Sequence, residues 1–353
     1  MNLLRIGFLS AAGIGRKNWK GVYHSGNCVI TAVASRDVAK ARSYIEALQS
    51  EAAFSPAPVA LGSYEELLAS KNVDAVYIPL PTGLRKEWVI RAAQAGKHVI
   101  CEKPCAVSAA DLEEMLAACR QHKVQFLDGV MFMHSLRLGR IREVLDDGAS
   151  VGDIKRITSQ FSFLGVEGFF DRNIRVNAAL EPAGCAGDLG WYNIRFSLWA
   201  MNWQMPREIT GRILAQTPEG VPTDFSGELI FDGGVSAGFY CSFINFRQQW
   251  ANVSGTKGYL QVSDFVNPFS GGETGIDVFN HGQDGHGVVP GYRRITVAEH
   301  GCTHPTAPEA YMFRNFANQV FSGQLNEDWP MWSLKTQMVL DECLKAARKA
   351  VRS

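Results

Sequence analysis

At 353 residues, 46% of them apolar, the chain has room for two domains or one large one and a sizeable core, which excludes a disordered polypeptide. The 35 Lys and Arg balance the 35 Asp and Glu, and no basic run stands out, so the charge pattern argues against nucleic acid and against an anionic membrane surface as partners. No apolar stretch approaches the length of a bilayer span, and a cytoplasmic enzyme acting on a small molecule is expected.

In chain order, LLRIGFL predicts a strand and a helix follows from about Ile14. CVITAVAS, a short run near VALG, DAVYIPLP, HVICEKP and VQFLDG predict further strands. They alternate with the helical patterns DVAKARSYIEAL, SYEELLAS, EWVIRAAQAG and SAADLEEMLAACRQH. Strands apolar on both faces at this rhythm predict a doubly wound parallel sheet, a Rossmann-type domain over residues 1–129. Residues 130–353 read differently. After a helix near 138–145, DIKRITSQFSF, REITGRILAQ, GELIFDGGVSAGFYCSF, ANVSGTKGYLQVSDF and YRRITVAEH predict longer strands. Their turns are Gly-rich, as at Asp232-Gly233-Gly234 and Gly255-Thr256-Lys257-Gly258. The fold class is therefore α/β, with a second α+β domain built on a large, mostly antiparallel sheet and closed by helices near 310–321 and 334–351. The eight cysteines form no CxxC pair and are expected as buried free thiols; Cys302 and His304 are close, but no complete metal spacing is present.

In a doubly wound sheet the turn after the first strand is the expected cradle for a dinucleotide pyrophosphate, with a helix N-terminus behind it. Here it reads Ser10-Ala11-Ala12-Gly13-Ile14-Gly15. Ser10 and Ala12 stand in the first two glycine places of GxGxxG and Gly15 in the third. After the second strand come Ser35, Arg36, Asp37 and Lys40. A hydroxyl and a guanidinium fork there suit a ribose 2′-phosphate, while Asp37 is placed to cap the next helix. This favours NADP(H), with NAD(H) as the alternative.

HVIC runs straight into Glu102-Lys103-Pro104, bringing opposite charges to a strand tip, where α/β proteins carry their chemistry. With GCAGDLGWYNIR and SGTKGYLQV downstream, this stretch resembles the Gfo/Idh/MocA family of glucose-fructose oxidoreductase and inositol dehydrogenase. The resemblance runs over nearly the whole chain and is nearest the NADP-dependent dihydrodiol and xylose dehydrogenase branch. It implies hydride transfer between a nicotinamide and a small polyhydroxylated substrate (a sugar, cyclitol or trans-dihydrodiol), with Lys103 and Tyr192 in proton transfer and Glu102 orienting the lysine or bonding the cofactor. The cofactor residues it implies are Ser10, Ala12, Gly13, Ile14, Gly15, Ser35, Arg36, Lys40, Pro79, Leu80, Pro81, Glu102 and Lys103. Asp188 and Tyr192, four apart, share a face if DLGWYNIRFSLWAM is one helix. Asp188 is also a catalytic candidate, and it and Arg175 are the further substrate candidates beside Tyr192, against the readings of a helix cap and a surface ion pair; Trp191 and Trp199 read as core. The chain departs from the family's PNxxH at Thr82 and Arg85, where family contacts do not carry over. A homodimer or dimer of dimers formed through the second sheet is also implied. The competing functions are an elimination or glycoside cleavage using transient oxidation on a retained cofactor, and a non-catalytic ligand sensor.

Overall fold

The computed structural model describes residues 2–269, 272–281, 290–301 and 303–352. The chain forms two compact units, one running up to His134 and including His300–Leu334, the other comprising Ser135–Glu299 and the chain from Lys335 onward.

The first unit begins β1 (Leu4–Leu9), α1 (Gly13–Ser25), β2 (Cys28–Ala34), α2 (Val38–Gln49), β3 (Val59–Leu61), α3 (Tyr64–Ala69), β4 (Ala75–Ile78), α4 (Thr82–Gln94), β5 (His98–Cys101), α5 (Ala109–Gln121) and β6 (Phe126–Asp128). Its sheet has the order β3-β2-β1-β4-β5-β6, and every pairing is parallel. The order reverses between β1 and β4, so the carboxyl ends of these strands flank a switch point, where open α/β sheets bind ligands. β4 and β6 are buried at every residue, as strands covered by helices on both faces must be. Side-chain caps start α2, α3 and α5: Asp37 accepts from the Ala39 amide at 2.9 Å, Ser63 from Glu66 at 3.1 Å and Ser108 from Asp111 at 3.2 Å.

The second unit contains α6 (Leu136–Asp146), β7 (Ile154–Leu164), α7 (Phe169–Arg172), α8 (Gly184–Asp188), α9 (Gly190–Ala200), β8 (Glu208–Gln216), β9 (Pro222–Ile230), β10 (Ser236–Ser242), β11 (Ile244–Gly255), β12 (Gly258–Val262), β13 (Gly275–His281) and β14 (Pro290–Thr296). Eight strands line up as β14-β13-β12-β11-β7-β10-β9-β8. All neighbours are antiparallel except β7 and β10, which run parallel because a long crossover carrying three helices and two strands joins them. β13 does not stand out in the sequence: among its described side chains Ile276 and Val278 are the buried ones, too short an alternation to show among Gly-rich neighbours. α9 is buried almost all round and is tied to the sheet by Asn193, whose side-chain amide donates to Ser159 at 2.9 Å.

Gly184, at the start of α8, sits at φ +49°, and a Cβ there would run into the Pro222 carbonyl and come within 2.8 Å of Val221. Gly184→Ala should therefore cost about 2–4 kcal/mol through left-handed strain plus overpacking. A denaturant midpoint equal to that of the unaltered protein would contradict this.

The chain closes with α10 (Pro308–Phe321), which lies in the first unit, and α11 (Asp328–Arg352), whose first turns belong to the first unit and the remainder to the second. Both begin earlier than their apolar periodicity predicts. Pro308 at the first position of α10 and Pro330 near the start of α11 mark first turns, where a missing N–H costs nothing. The seven described cysteines are buried, with no disulfide among the described residues; Cys302 lies outside the described residues. Among the described residues no helix is long and apolar enough to cross a membrane.

Candidate active site

The turn after β1 has the backbone of a glycine turn although two of its glycines are replaced. Ser10 adopts φ +144°, a conformation that glycine favours and other residues rarely hold. Its Oγ is buried and has no hydrogen-bond partner among the described residues, so the turn carries a polar atom waiting for a ligand group. Ala12 is the N-cap of α1 and supplies no side-chain cap, and no acid occupies the first turn. The first amides and the positive end of the helix dipole are thus left for an anion. The space over Gly13 is open, whereas a Cβ on Gly15 would come within 2.5 Å of the Tyr44 hydroxyl, so Gly15 lets α1 pack down on its neighbours. Tyr44 in turn donates to the Ala12 carbonyl at 3.2 Å. These features fit a dinucleotide pyrophosphate.

At the end of β2, Ser35 is buried while Arg36 and Lys40 are exposed. Asp37 acts as the cap of α2, as expected, and its backbone N–H lies 3.4 Å from the Ser35 hydroxyl. The carboxylate is therefore turned to the helix. Two cations remain beside the strand end.

At the tip of β5, Glu102 is buried and fully engaged. Its Oε1 accepts from the Tyr77 hydroxyl at 2.6 Å and from the Asn18 amide at 3.2 Å; Asn18 also donates to the Tyr77 oxygen at 2.6 Å. Its Oε2 accepts from the backbone N–H of Lys103 at 3.3 Å. Burial, and then the adjacent Glu102 carboxylate, push the Tyr77 phenol well above its ordinary pKa, so Tyr77 stays a donor. Gly129 is needed beside this group, since a Cβ would come within 3.1 Å of the carboxylate. Asn18 and Tyr77 escaped the sequence reading. The available signal was one phenol inside AVYI, a strand otherwise aliphatic.

Lys103 is half-buried and joined to Pro104 by a cis peptide bond. Arg85, buried, donates from Nε to the Leu80 carbonyl at 2.7 Å and from its guanidinium to the Pro104 carbonyl. The arginine at the position of the family's histidine thus clamps the Pro79-Leu80-Pro81 loop to the turn that carries Lys103.

In the second unit the DLGWYNIR stretch is not one helix. Asp188 ends α8, Leu189 interrupts, and α9 starts at Gly190 with Tyr192 in its first turn. That one-residue break separates Asp188 from Tyr192, and Asp188 stands at the end of a helix rather than at the start that a cap would occupy. Instead it takes a 2.8 Å hydrogen bond from Arg175 Nε, with Asp188 the more buried partner. The two substrate candidates are therefore one ion pair. Tyr192 is buried edge-on to Phe161, with ring centroids 5.4 Å apart. Trp191 is core; Trp199 packs under the Arg142 guanidinium at 4.5 Å.

A switch-point turn with glycine geometry and a charged lysine-bearing tip two strands away define an NAD(P)-dependent oxidoreductase. Comparison with known proteins agrees. Residues 4–129 match the model of an oxidoreductase family with an NAD-binding Rossmann fold, and residues 138–261 match the GFO/IDH/MocA C-terminal domain. D-xylose 1-dehydrogenase (NADP(+)) 2 of Haloferax volcanii is 32% identical over 268 residues, covering 75% of this chain and 77% of the relative. Trans-1,2-dihydrobenzene-1,2-diol dehydrogenase of Mus musculus is 32% identical, covering 68% of each chain. The solved structure of a 3-ketoreductase from Actinomadura kijaniata superposes with a TM-score of 0.80 at 22% identity over 98% of each chain, a likeness of fold. The chain belongs to the Gfo/Idh/MocA oxidoreductase family.

Proposed function

We propose that the protein is an NADP(H)-dependent oxidoreductase acting on an alcohol or carbonyl carbon of a small polyhydroxylated molecule: a sugar, a cyclitol or a trans-dihydrodiol. The observation that carries this reading is the Glu102–Lys103 tip, where a buried, triply bonded carboxylate anchors the residue next to it. The names of the Haloferax and Mus relatives support the substrate class and the choice of NADP.

Bound NADP(H) supplies the hydride acceptor and donor. Ser10, Ala12, Gly13, Ile14 and Gly15 would hold its pyrophosphate, Ser35, Arg36 and Lys40 its 2′-phosphate, and Pro79, Leu80 and Pro81 would supply further contacts. Lys103 takes the hydroxyl proton during oxidation and returns it during reduction, as a positioned general base and acid. Glu102, fixed by Tyr77 and Asn18, holds the lysine's backbone and offsets positive charge at the strand tip. In the second unit Tyr192 serves proton transfer as well, and the Arg175–Asp188 pair holds substrate hydroxyls. A homodimer or dimer of dimers forms through the second sheet, whose strands expose Leu164, Leu214, Phe246 and Tyr292.

The test is turnover by nucleotide-free protein with excess NADP⁺ and a panel of aldoses, cyclitols and trans-dihydrodiols. Reduction of NADP⁺ in proportion to substrate consumed supports the proposal. Substrate consumed with no net reduction would install the transient-oxidation reading, and failure to bind nucleotide would leave a ligand sensor.

A further inference from the structure

We propose that the first unit carries a second small-molecule site, a recess that binds an uncharged polyhydroxylated ring such as a pyranoside, apart from the nucleotide turn. The recess has a volume of about 400 Å³ and lies between α10, the start of α11 and the turn at His134.

Its two walls are chemically distinct. Trp329 and Trp332, three apart on α11, form an aromatic wall, while Asn315, Asn318 and Gln319 at i, i+3 and i+4 on α10 form an amide wall. The floor is fixed: Trp329 is buried, packed against Phe316 and His134 with centroids 6.4 and 5.8 Å apart, and His134 is bonded to Asn315 at 3.2 Å. Trp332 is half-exposed and lines the recess.

The hydrogen-bond network assigns the amide roles. Asn318 gives its oxygen to Asn27 at 2.9 Å, which makes its nitrogen the donor toward a ligand. Gln319 spends its nitrogen on the Gln324 carbonyl at 2.9 Å and on Ser322, which makes its oxygen the acceptor. A donor and an acceptor on successive α10 residues match adjacent ring hydroxyls, each of which both donates and accepts. Among the described residues no Lys, Arg, Asp or Glu lines the recess. A nucleotide would stack on the indoles equally well, but its phosphates would find no cation. An uncharged polyol satisfies both walls.

The recess is remote from the pyrophosphate turn. α10 runs beside α1 in the same sense: Glu309 at its start pairs with Lys17 and faces Gly21, Arg314 reaches the His24 and Ser25 carbonyls, and Asn318 meets Asn27 beyond the end of α1. α1 spans 13 residues, so the amide wall lies about 20 Å along the helix from Gly13.

The experiment is ligand-observed saturation-transfer NMR with methyl β-D-glucopyranoside on the full chain saturated with NADPH, repeated on Trp332→Ala, Asn318→Ala and Trp332→Phe. The expected result is saturable binding with Kd of about millimolar order, weakened about ten-fold or more by either alanine and less by phenylalanine. The kinetic constants of the dehydrogenase reaction stay unchanged in all three. Binding that is equally strong in Trp332→Ala and Asn318→Ala, or an absence of saturable transfer in the unaltered protein, overturns the proposal. Asn318→Ala alters only an exposed side chain, so a folded variant is available even if Trp332→Ala is unstable.

Discussion

Lys103→Met is expected to lower kcat by about 10²–10⁴-fold while leaving the Kd for NADPH within about three-fold of the original. The separation follows from how the strand tip is held. Glu102 takes its bonds from Tyr77, Asn18 and the backbone N–H at position 103, none of which involves the lysine side chain. Arg85 grips the Pro104 carbonyl independently. Those bonds survive the substitution while the side-chain amine is removed. In Lys103→Ala, added methylamine should restore part of the turnover, because a free amine can re-enter as the base. Full activity in either variant would remove Lys103 from the chemistry and leave its charge a structural one. Equal losses in kcat and in NADPH affinity would mean that the lysine serves the cofactor.

Much of the first unit could be read from the residues because its signals are local. Every strand from LLRIGFL to VQFLDG is a short apolar run bounded by a helix signal, and parallel strands buried on both faces have few other arrangements open to them. The strand tip at Glu102 stood out for the same reason, as charge where apolar residues stop. What escaped was long-range. Asn18, Tyr77 and Glu102 are 25 to 84 positions apart, and nothing in the spacing announces that they meet. In the second unit the break at Leu189 lies between Gly187 and Gly190, two poor helix formers masked by the apolar run around them. The approach of Gly190 to Cys241 and the bond from Arg175 to Asp188 accompany the break and are invisible in the spacing. The parallel pairing of β7 with β10 is likewise a property of the crossover and not of either strand's composition.

Arg36→Ala should erase a preference for NADPH over NADH, weakening NADPH by roughly 10- to 100-fold and leaving NADH almost unchanged. A hydrogen bond between charged partners contributes about 1.5–3 kcal/mol, and that interval sets the range. Asp37 decides the selectivity. An acidic residue after β2 would repel a 2′-phosphate and bond the ribose hydroxyls of NAD, but this carboxylate accepts from the Ala39 amide at 2.9 Å and is committed to capping α2. Ser35 is buried with its hydroxyl beside the Asp37 N–H, and the exposed groups at the strand end are Arg36 and Lys40. The Arg36 charge also offsets part of the rise that burial gives the Tyr64 phenol's pKa. Raising salt should weaken NADPH binding more than NADH binding, since the extra contact is between ions at an exposed position. If both nucleotides bound equally to the unaltered protein, or if Arg36→Ala weakened both alike, the selecting group would lie elsewhere, and the Ser35–Lys40 corner would be only the entrance to α2.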